Sequence, residues 1–593
     1  MVIFRLNEIG TLIMHLWFKN SFLVLGGLLM ASQVMAQTIY PARELVTLSE
    51  AKGNAIYVIG DRIQEIGDLQ VLKANHPEAH VDKRYQNDVI VPGFIEHHVH
   101  PFLAAMSLGA RVIAIEDWDL PSEFRPGVRD GEGYRNMLRA ELDKAPDDGS
   151  LLITWGYHHY FHEPLERREI DALAGDRPVL IIHRSFHEFI LNSAAIKYFG
   201  ITPELVAAAP ASAQPYMNLD TGVFAEQGAI AIVSKVLPKM MPQFMGGLAQ
   251  LSAYLHANGV TMIGNPGAMY DPQLQAAKDA VLGAETTPFR SHFIVSGMML
   301  AARHPMSELL TRTEDIVQNW GAGQVKYLPR QIKLFSDGAM FSQAMQMRQG
   351  YLDGHDGAWL MDKDKFDAAF RLYWDAGYQI HIHHTGDAGL DRVLDALKEN
   401  MQRAPREDHR TVLVHFGFAE TDQIQLAKEL GAVVSANPYY VTALSDLYAK
   451  RGIGPHAHNM VPLGEAEQAG LPIALHSDMP MAPAAPLFLM HQAVNRVNFA
   501  DEVSGPQHRL SVETAFRGIT DRSAFMMRLE DEYGTIDIGK FANLTILQDN
   551  PLTIAQDQIK DIRVIATMVE GKNHPIPPKS PRTKLQGAVN HPN

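Results

Sequence analysis

The sequence predicts an α/β protein: a (β/α)8 TIM-like barrel with a small β-sandwich domain formed by its N- and C-terminal segments. Three observations carry that expectation. Apolar runs such as "LLITWG", "PVLIIHRS", "GVTMIGNPG", "QIKLFSDG", "YQIHIHHTGD", "RTVLVHFG", "AVVSANP" and "PIALHSD" alternate with helical stretches through the middle of the chain. Such alternation builds a parallel sheet, and its length suits a barrel of roughly 250 residues or more with insertions. Second, short β-rich segments before it ("ELVTL", "AIYVIGDRIQEIG", "DVIVPGF") share their texture with "GTIDIGKFANLTILQDNP" and "DIRVIATMVEGK" after it. Third, several central runs end in His, Lys or Asp, and in such barrels chemistry sits where the strands run out.

The elements follow in order. Residues 1–36 read as a signal peptide, starting at Met1 or Met14, with a basic Lys19 and an apolar run from Phe22 to Ala31. That run is shorter than the roughly 18 apolar residues a membrane span needs. Cleavage would leave a periplasmic or secreted protein with no membrane attachment. Residues 37–90 are expected to form the first part of the β-sandwich, 91–530 the barrel with an insertion at about 102–250, and 531–572 the returning part of the sandwich. The Pro-rich, basic segment 573–593 is expected to be disordered.

Composition narrows the chemistry. The 593 residues are 46% hydrophobic and 20% charged, as in an ordinary soluble globular protein. A formal net charge of -15 disfavours nucleic acid and anionic lipid surfaces as partners, which leaves a small-molecule substrate. A homodimer is the assembly weighed. Cysteine is absent, so any metal must be held by nitrogen and oxygen, and the 27 histidines are the natural candidates.

The stretch "VIVPGFIEHHVHP" (Val89–Pro101) is the most informative. Side chains at i and i+2 of a strand share a face, so His98 and His100 can point together into a barrel mouth while His97 and Val99 point away. The same alternation puts His381 and His383 on one face and does not choose between them.

"PGFIEHHVH", followed in order by "IKLFSDG", "HIHHTGD", "VLVHFG" and "ALHSD", resembles the amidohydrolase superfamily, in the branch that includes N-substituted formamide deformylases. "RSFHEFILNSAAI" and "TGVFAE" resemble that branch's insertion, and "SVETAFRGITDRSAFMMRLEDEYGTIDIGKFANLTILQDNPL" its closing helices and returning β-domain. The resemblance runs from about Glu44 to Lys572. It implies a metal centre of His98, His100, Lys333, His383, His415 and Asp478, holding two divalent ions with zinc favoured, although manganese, nickel and iron also suit mixed N/O ligands. Lys333 would bridge the ions as a carbamate, an anionic oxygen donor; the alternative is an ion pair with Asp337. Asp478 would also be the general base and acid. Its alternative, a helix N-cap, is opposed by Pro480, Pro483 and Pro486.

The resemblance points to His187, Asn192, Arg184 and Trp155 as the substrate wall, with loop packing as the alternative. His97, His384 and His476 are expected to face away from the metals. Three departures stand out: Glu96 replaces the usual Asp of the first motif, Ala339 a usual Ser, and Asn265 a frequent Asp. The implied activity is hydrolysis of a non-peptide C–N bond in an amide, formamide or cyclic amide by a metal-activated hydroxide. A lactone or ester hydrolase, a deaminase, and a non-catalytic periplasmic binding or regulatory protein are the alternatives.

Overall fold

In the computed structural model, eight parallel strands form one sheet in their order along the chain. They are β1 (Phe94–Glu96), β2 (Val260–Ala268), β3 (Arg290–Ser296), β4 (Val325–Phe335), β5 (Gln379–His384), β6 (Val412–His415), β7 (Val433–Ala436) and β8 (Ile473–Leu475). The structure describes residues 36–577 apart from 147, 212 and 270. The expected signal peptide, but for Ala36, lies outside the described residues.

Sheet alternation explains how this barrel presents polar groups. On β4 and β5, Ile332, Leu334, Ile380 and Ile382 join the large apolar core, while Gln331, Lys333, His381 and His383 have the opposite parity. The register pairs Lys333 with His381 and Phe335 with His383. The first and last strands are three residues each, and the barrel closes just beyond them. Val99 bridges Met479 in parallel. The His100 N–H donates to the Met479 carbonyl at 2.9 Å, and the Asp478 N–H to the His98 carbonyl at 3.1 Å.

Between β1 and β2 the chain builds a second, six-stranded sheet, which includes Arg111–Val112, Leu152–Tyr157, Val179–His183 and Glu188–Leu191. Helices α1 (Pro101–Gly109) and α2 (Glu226–Ala257) tie it to the barrel. They cross closely because glycine stands at the contact: a Cβ on Gly247 would lie 1.8 Å from the Ala105 carbonyl oxygen.

The chain ends meet. Val89–Pro92 pairs antiparallel with Leu544–Leu547 in a five-stranded sheet, beside a four-stranded sheet that contains Gln37–Pro41 and Ala55–Ile59. Tyr40, Ile56 and Val58 share an apolar cluster with Ile90, Leu544, Ile546 and Met568. From Gln37 onward the chain is one compact unit, so these sheets are not set apart as a separate body. One expectation is corrected: the segment from 573 does not begin as disordered chain. Lys572–Pro575 is a strand pairing with Val564–Val569, where backbone donors find a sheet edge. Residues 578–593 of that segment lie outside the described residues.

Candidate metal centre

His98 and His100 stand just past β1, and Asp478 just past β8, so closing the barrel brings them together. The Asp478 Oδ1 lies 3.3 Å from His98 Nε2 and 3.0 Å from His100 Nε2, and its Oδ2 lies 3.7 Å from His415 Nδ1. The His383 and His415 rings are 4.4 Å apart. Close as they are, these groups do not satisfy one another. Both ring nitrogens of His98, Nε2 of His383, Nζ of Lys333 and Oδ1 of Asp478 are buried with no hydrogen-bond partner among the described residues. Buried polar groups are almost always paired. Orphaned nitrogens of His98 and His383 and an orphaned oxygen of Asp478, with the Lys333 amine beside them at one barrel mouth, fit a divalent cation, each residue offering it one atom.

Electrostatics agrees. Burial, then the nearby charge of Lys333, pushes the His98 imidazole well below its usual pKa. His383 and His415 are lowered in the same direction, first by burial. Neutral imidazole is the metal-binding form. Burial also lowers the Lys333 amine to about 7, against the opposing pull of Asp478. A lysine held there offers a free amine near neutrality. Asp337 is not its partner: that carboxylate accepts the backbone N–H groups of Thr385, Gly386 and Gln346 at 2.8–2.9 Å.

The backbone that aims these groups is strained. His415 has φ 76° and Asp478 φ 56°, a left-handed conformation that costs a non-glycine residue free energy and clusters at functional sites. Asp478 caps no helix; the next begins at Pro486. Glu96 braces the closure. Its buried carboxyl accepts the Ser477 N–H at 3.2 Å and the His98 N–H at 3.4 Å, and burial raises its pKa to about 8.

The structure separates the two candidate ligands of β5. His381 Nε2 lies 3.1 Å from Gln331 Oε1 and is satisfied there. His383 stacks on Phe335 at 5.4 Å and leaves Nε2 free. One neighbour is a correction. His476, expected to face away, stacks on His98 at 4.5 Å and puts Nε2 3.2 Å from His415 Nδ1. Nitrogens of His98, His415 and His476 lie within 4.8 Å of one another. The signal was present in the sequence, because His476 stands two residues before Asp478 and so shares its parity. The Ser435 hydroxyl orients it, 2.9 Å from His476 Nδ1 and 2.7 Å from His97 Nε2. His97 is thereby engaged away from the cluster, and His384 packs edge-on against Phe416.

Of the four residues expected at the substrate wall, Arg184 and Trp155 stand together, the guanidinium 5.8 Å over the indole ring, while Asn192 and His187 are engaged elsewhere. Asn192 caps the helix Ser193–Phe199: its Oδ1 accepts the N–H groups of Ala195 and Val179, and its Nδ2 donates to the Arg177 carbonyl. His187 is half-buried and pairs with Glu226 at 3.0 Å. Arg184 is fully buried, with Nη1 2.6 Å from both oxygens of Glu116 and Nη2 donating to the Met481 carbonyl. Trp118 and Tyr439 complete the shell of Glu116 at 2.8 Å. Since the Met481 N–H donates to the Asp478 carbonyl at 2.8 Å, Arg184 holds the Asp478 turn from behind. Trp155 is buried edge-on to Trp118 at 5.6 Å.

A parallel barrel with this donor set at its mouth defines a hydrolase with a metal-type centre. The chain belongs to the amidohydrolase family, whose model matches residues 86–573. It is 26% identical over 544 residues to the N-substituted formamide deformylase of Arthrobacter pascens, covering 87% of this chain and 94% of that protein. Its fold matches an uncharacterized metal-dependent hydrolase from Pyrococcus horikoshii OT3 with a TM-score of 0.67 at 18% identity, covering 88% of this chain and 99% of the other. A second, from Pyrococcus furiosus, matches with a TM-score of 0.65 at 20% identity, covering 87% and 100%.

Proposed function

We propose that the protein hydrolyses a non-peptide carbon–nitrogen bond in an amide, formamide or cyclic amide. The observation that carries this reading is the Asp478 carboxylate, which stands 3.0–3.3 Å from two imidazoles yet keeps Oδ1 without a hydrogen-bond partner. His98, His100, His383, His415 and Asp478 would hold divalent metal, zinc favoured, with His476 beside them. Lys333, as the free amine, would add to carbon dioxide, lose a proton and become the carbamate that completes the set. The bound metal supplies a more acidic water and a polarised substrate carbonyl. Asp478 accepts the proton that the attacking water loses. It then gives that proton to the departing nitrogen as the C–N bond breaks, releasing an amine and a carboxylic acid.

The name of the Arthrobacter pascens relative supports an N-substituted formamide as the first substrate class to try. The test is a panel of formamides, amides, cyclic amides, esters and aminopurines, with metal content measured in parallel. Amine release from members of the first three classes is the expected result. Selective ester cleavage or ring deamination would move the activity to one of those chemistries, and binding without turnover across the panel would sink the hydrolytic reading. We also place the mature protein in the periplasm or outside the cell, which N-terminal sequencing of the natively expressed protein tests.

A further inference from the structure

Three more imidazoles gather outside the barrel, where Leu152–Tyr157 and Val179–His183 run out side by side in the inserted sheet. The rings of His158, His159 and His183 lie 5.1–5.7 Å apart, and one nitrogen from each falls within 4.8 Å of the others. By spacing alone this is another metal site.

The hydrogen bonds say otherwise. The Tyr160 backbone N–H donates to His158 Nδ1 at 3.3 Å, and the Ser185 backbone N–H to His183 Nδ1 at 3.2 Å. A backbone amide can only donate, so each Nδ1 is an acceptor and each neutral ring carries its hydrogen on Nε2. The Ser185 hydroxyl, 2.8 Å from His183 Nδ1, can donate there too, while its oxygen accepts the His187 N–H at 3.2 Å. Both rings are fully buried in a setting that lowers their pKa well below the usual value, so they stay neutral. Both Nε2 atoms are buried and find no hydrogen-bond partner among the described residues. A metal needs a lone pair where these rings carry a hydrogen.

We infer that His158 and His183 form a pair of neutral N–H donors that binds an uncharged oxygen acceptor, a carbonyl group of the substrate other than the one attacked. This deepens the C–N hydrolase reading and rests on it. The acceptor is uncharged because the nearest fixed cation, Arg184, is already neutralised by Glu116 at 2.6 Å. Burying a carboxylate against two neutral donors costs far more than burying a carbonyl. It belongs to the substrate because Arg184, the residue after His183, anchors Met481 and through it Asp478. His159, whose own residue is exposed, stacks on His183.

The test uses the full-length, metal-loaded enzyme labelled with nitrogen-15 in histidine only, with His158→Gln and His183→Gln assigning the signals. Long-range spectra should show both rings protonated at Nε2, and both variants should keep the wild-type metal content. N-methylacetamide should shift the two Nε2–H signals together and saturably, with acetate needing about tenfold more to do the same. An Nδ1–H ring, a lost metal equivalent in either variant, no response to N-methylacetamide, or a preference for acetate each overturns the proposal. The wild-type titration does not depend on the variants folding. Failure of the hydrolase reading looks different: no amine released from any substrate, with these shifts intact.

Discussion

The barrel mouth and the end of the inserted sheet both gather buried histidines with unpaired ring nitrogens, and they differ in what touches the rest of each ring. At the mouth, His98 has neither nitrogen hydrogen-bonded, His383 leaves Nε2 bare, and the neighbours are a carboxylate and an amine. In the inserted sheet a backbone N–H occupies each Nδ1 of His158 and His183. The same side chain thus offers a lone pair in one place and a hydrogen in the other. A count of histidines within reach of each other does not distinguish the two; the direction of the second hydrogen bond does.

Breaking the mouth should have the largest effect. Asp478→Asn should keep its metal and lose turnover by about 10²- to 10⁴-fold, the scale of general acid–base catalysis; near-normal kcat in the purified variant would assign proton transfer to another group. Lys333→Ala should lose one metal equivalent by elemental analysis and recover part of its activity with a short-chain acid. Unchanged stoichiometry would count against a bridging role.

The Lys333 amine also gives the comparison a pH axis. Its pKa is lowered from 10.5 to about 7, so the reactive neutral form grows as pH rises through that value. Reactivation of metal-free enzyme by metal at a fixed concentration of dissolved carbon dioxide should therefore speed up from acid pH to about 7 and level off above it. A flat rate profile would contradict the carbamate.

Away from the mouth the effects should be on stability. Arg184→Met strands the buried Glu116 carboxylate and should cost about 3 kcal/mol in urea unfolding, near the low end for breaking a buried pair. Asn192→Ala removes a helix cap and should cost about 1 kcal/mol with kcat and KM unchanged. A raised KM in that variant would restore Asn192 to the substrate wall.

Much of the mouth was legible because strand alternation is local. His98 with His100 can be read from spacing of two, and His476 with Asp478 follows the same rule once it is applied across the end of β8. Asn192 was also locally readable, as an Asn before Ser-Ala-Ala at a helix start, although the family resemblance drew it toward the substrate. What the sequence could not show depends on distant partners. Glu116 and Arg184 are 68 residues apart, with nothing between them to announce the pair. Asp337 lost its claim on Lys333 only because backbone amides at Gln346, Thr385 and Gly386 fold onto it. The difference between His381 and His383, one nitrogen satisfied and the other bare, comes from Gln331 on the neighbouring strand.

The short first and last strands have a consequence for how the protein comes apart. A cask fails where its end staves meet, and here the seam beyond those strands is held by a Val99–Met479 bridge, two backbone hydrogen bonds and the Glu96 brace. His98 and His100 stand on one side of that joint and Asp478 on the other, so an ion gripped by all three would rivet it shut. Chelation should then unlock amide exchange at His100 and Asp478, whose N–H groups cross the seam, before it reaches the long staves at β4 and β5.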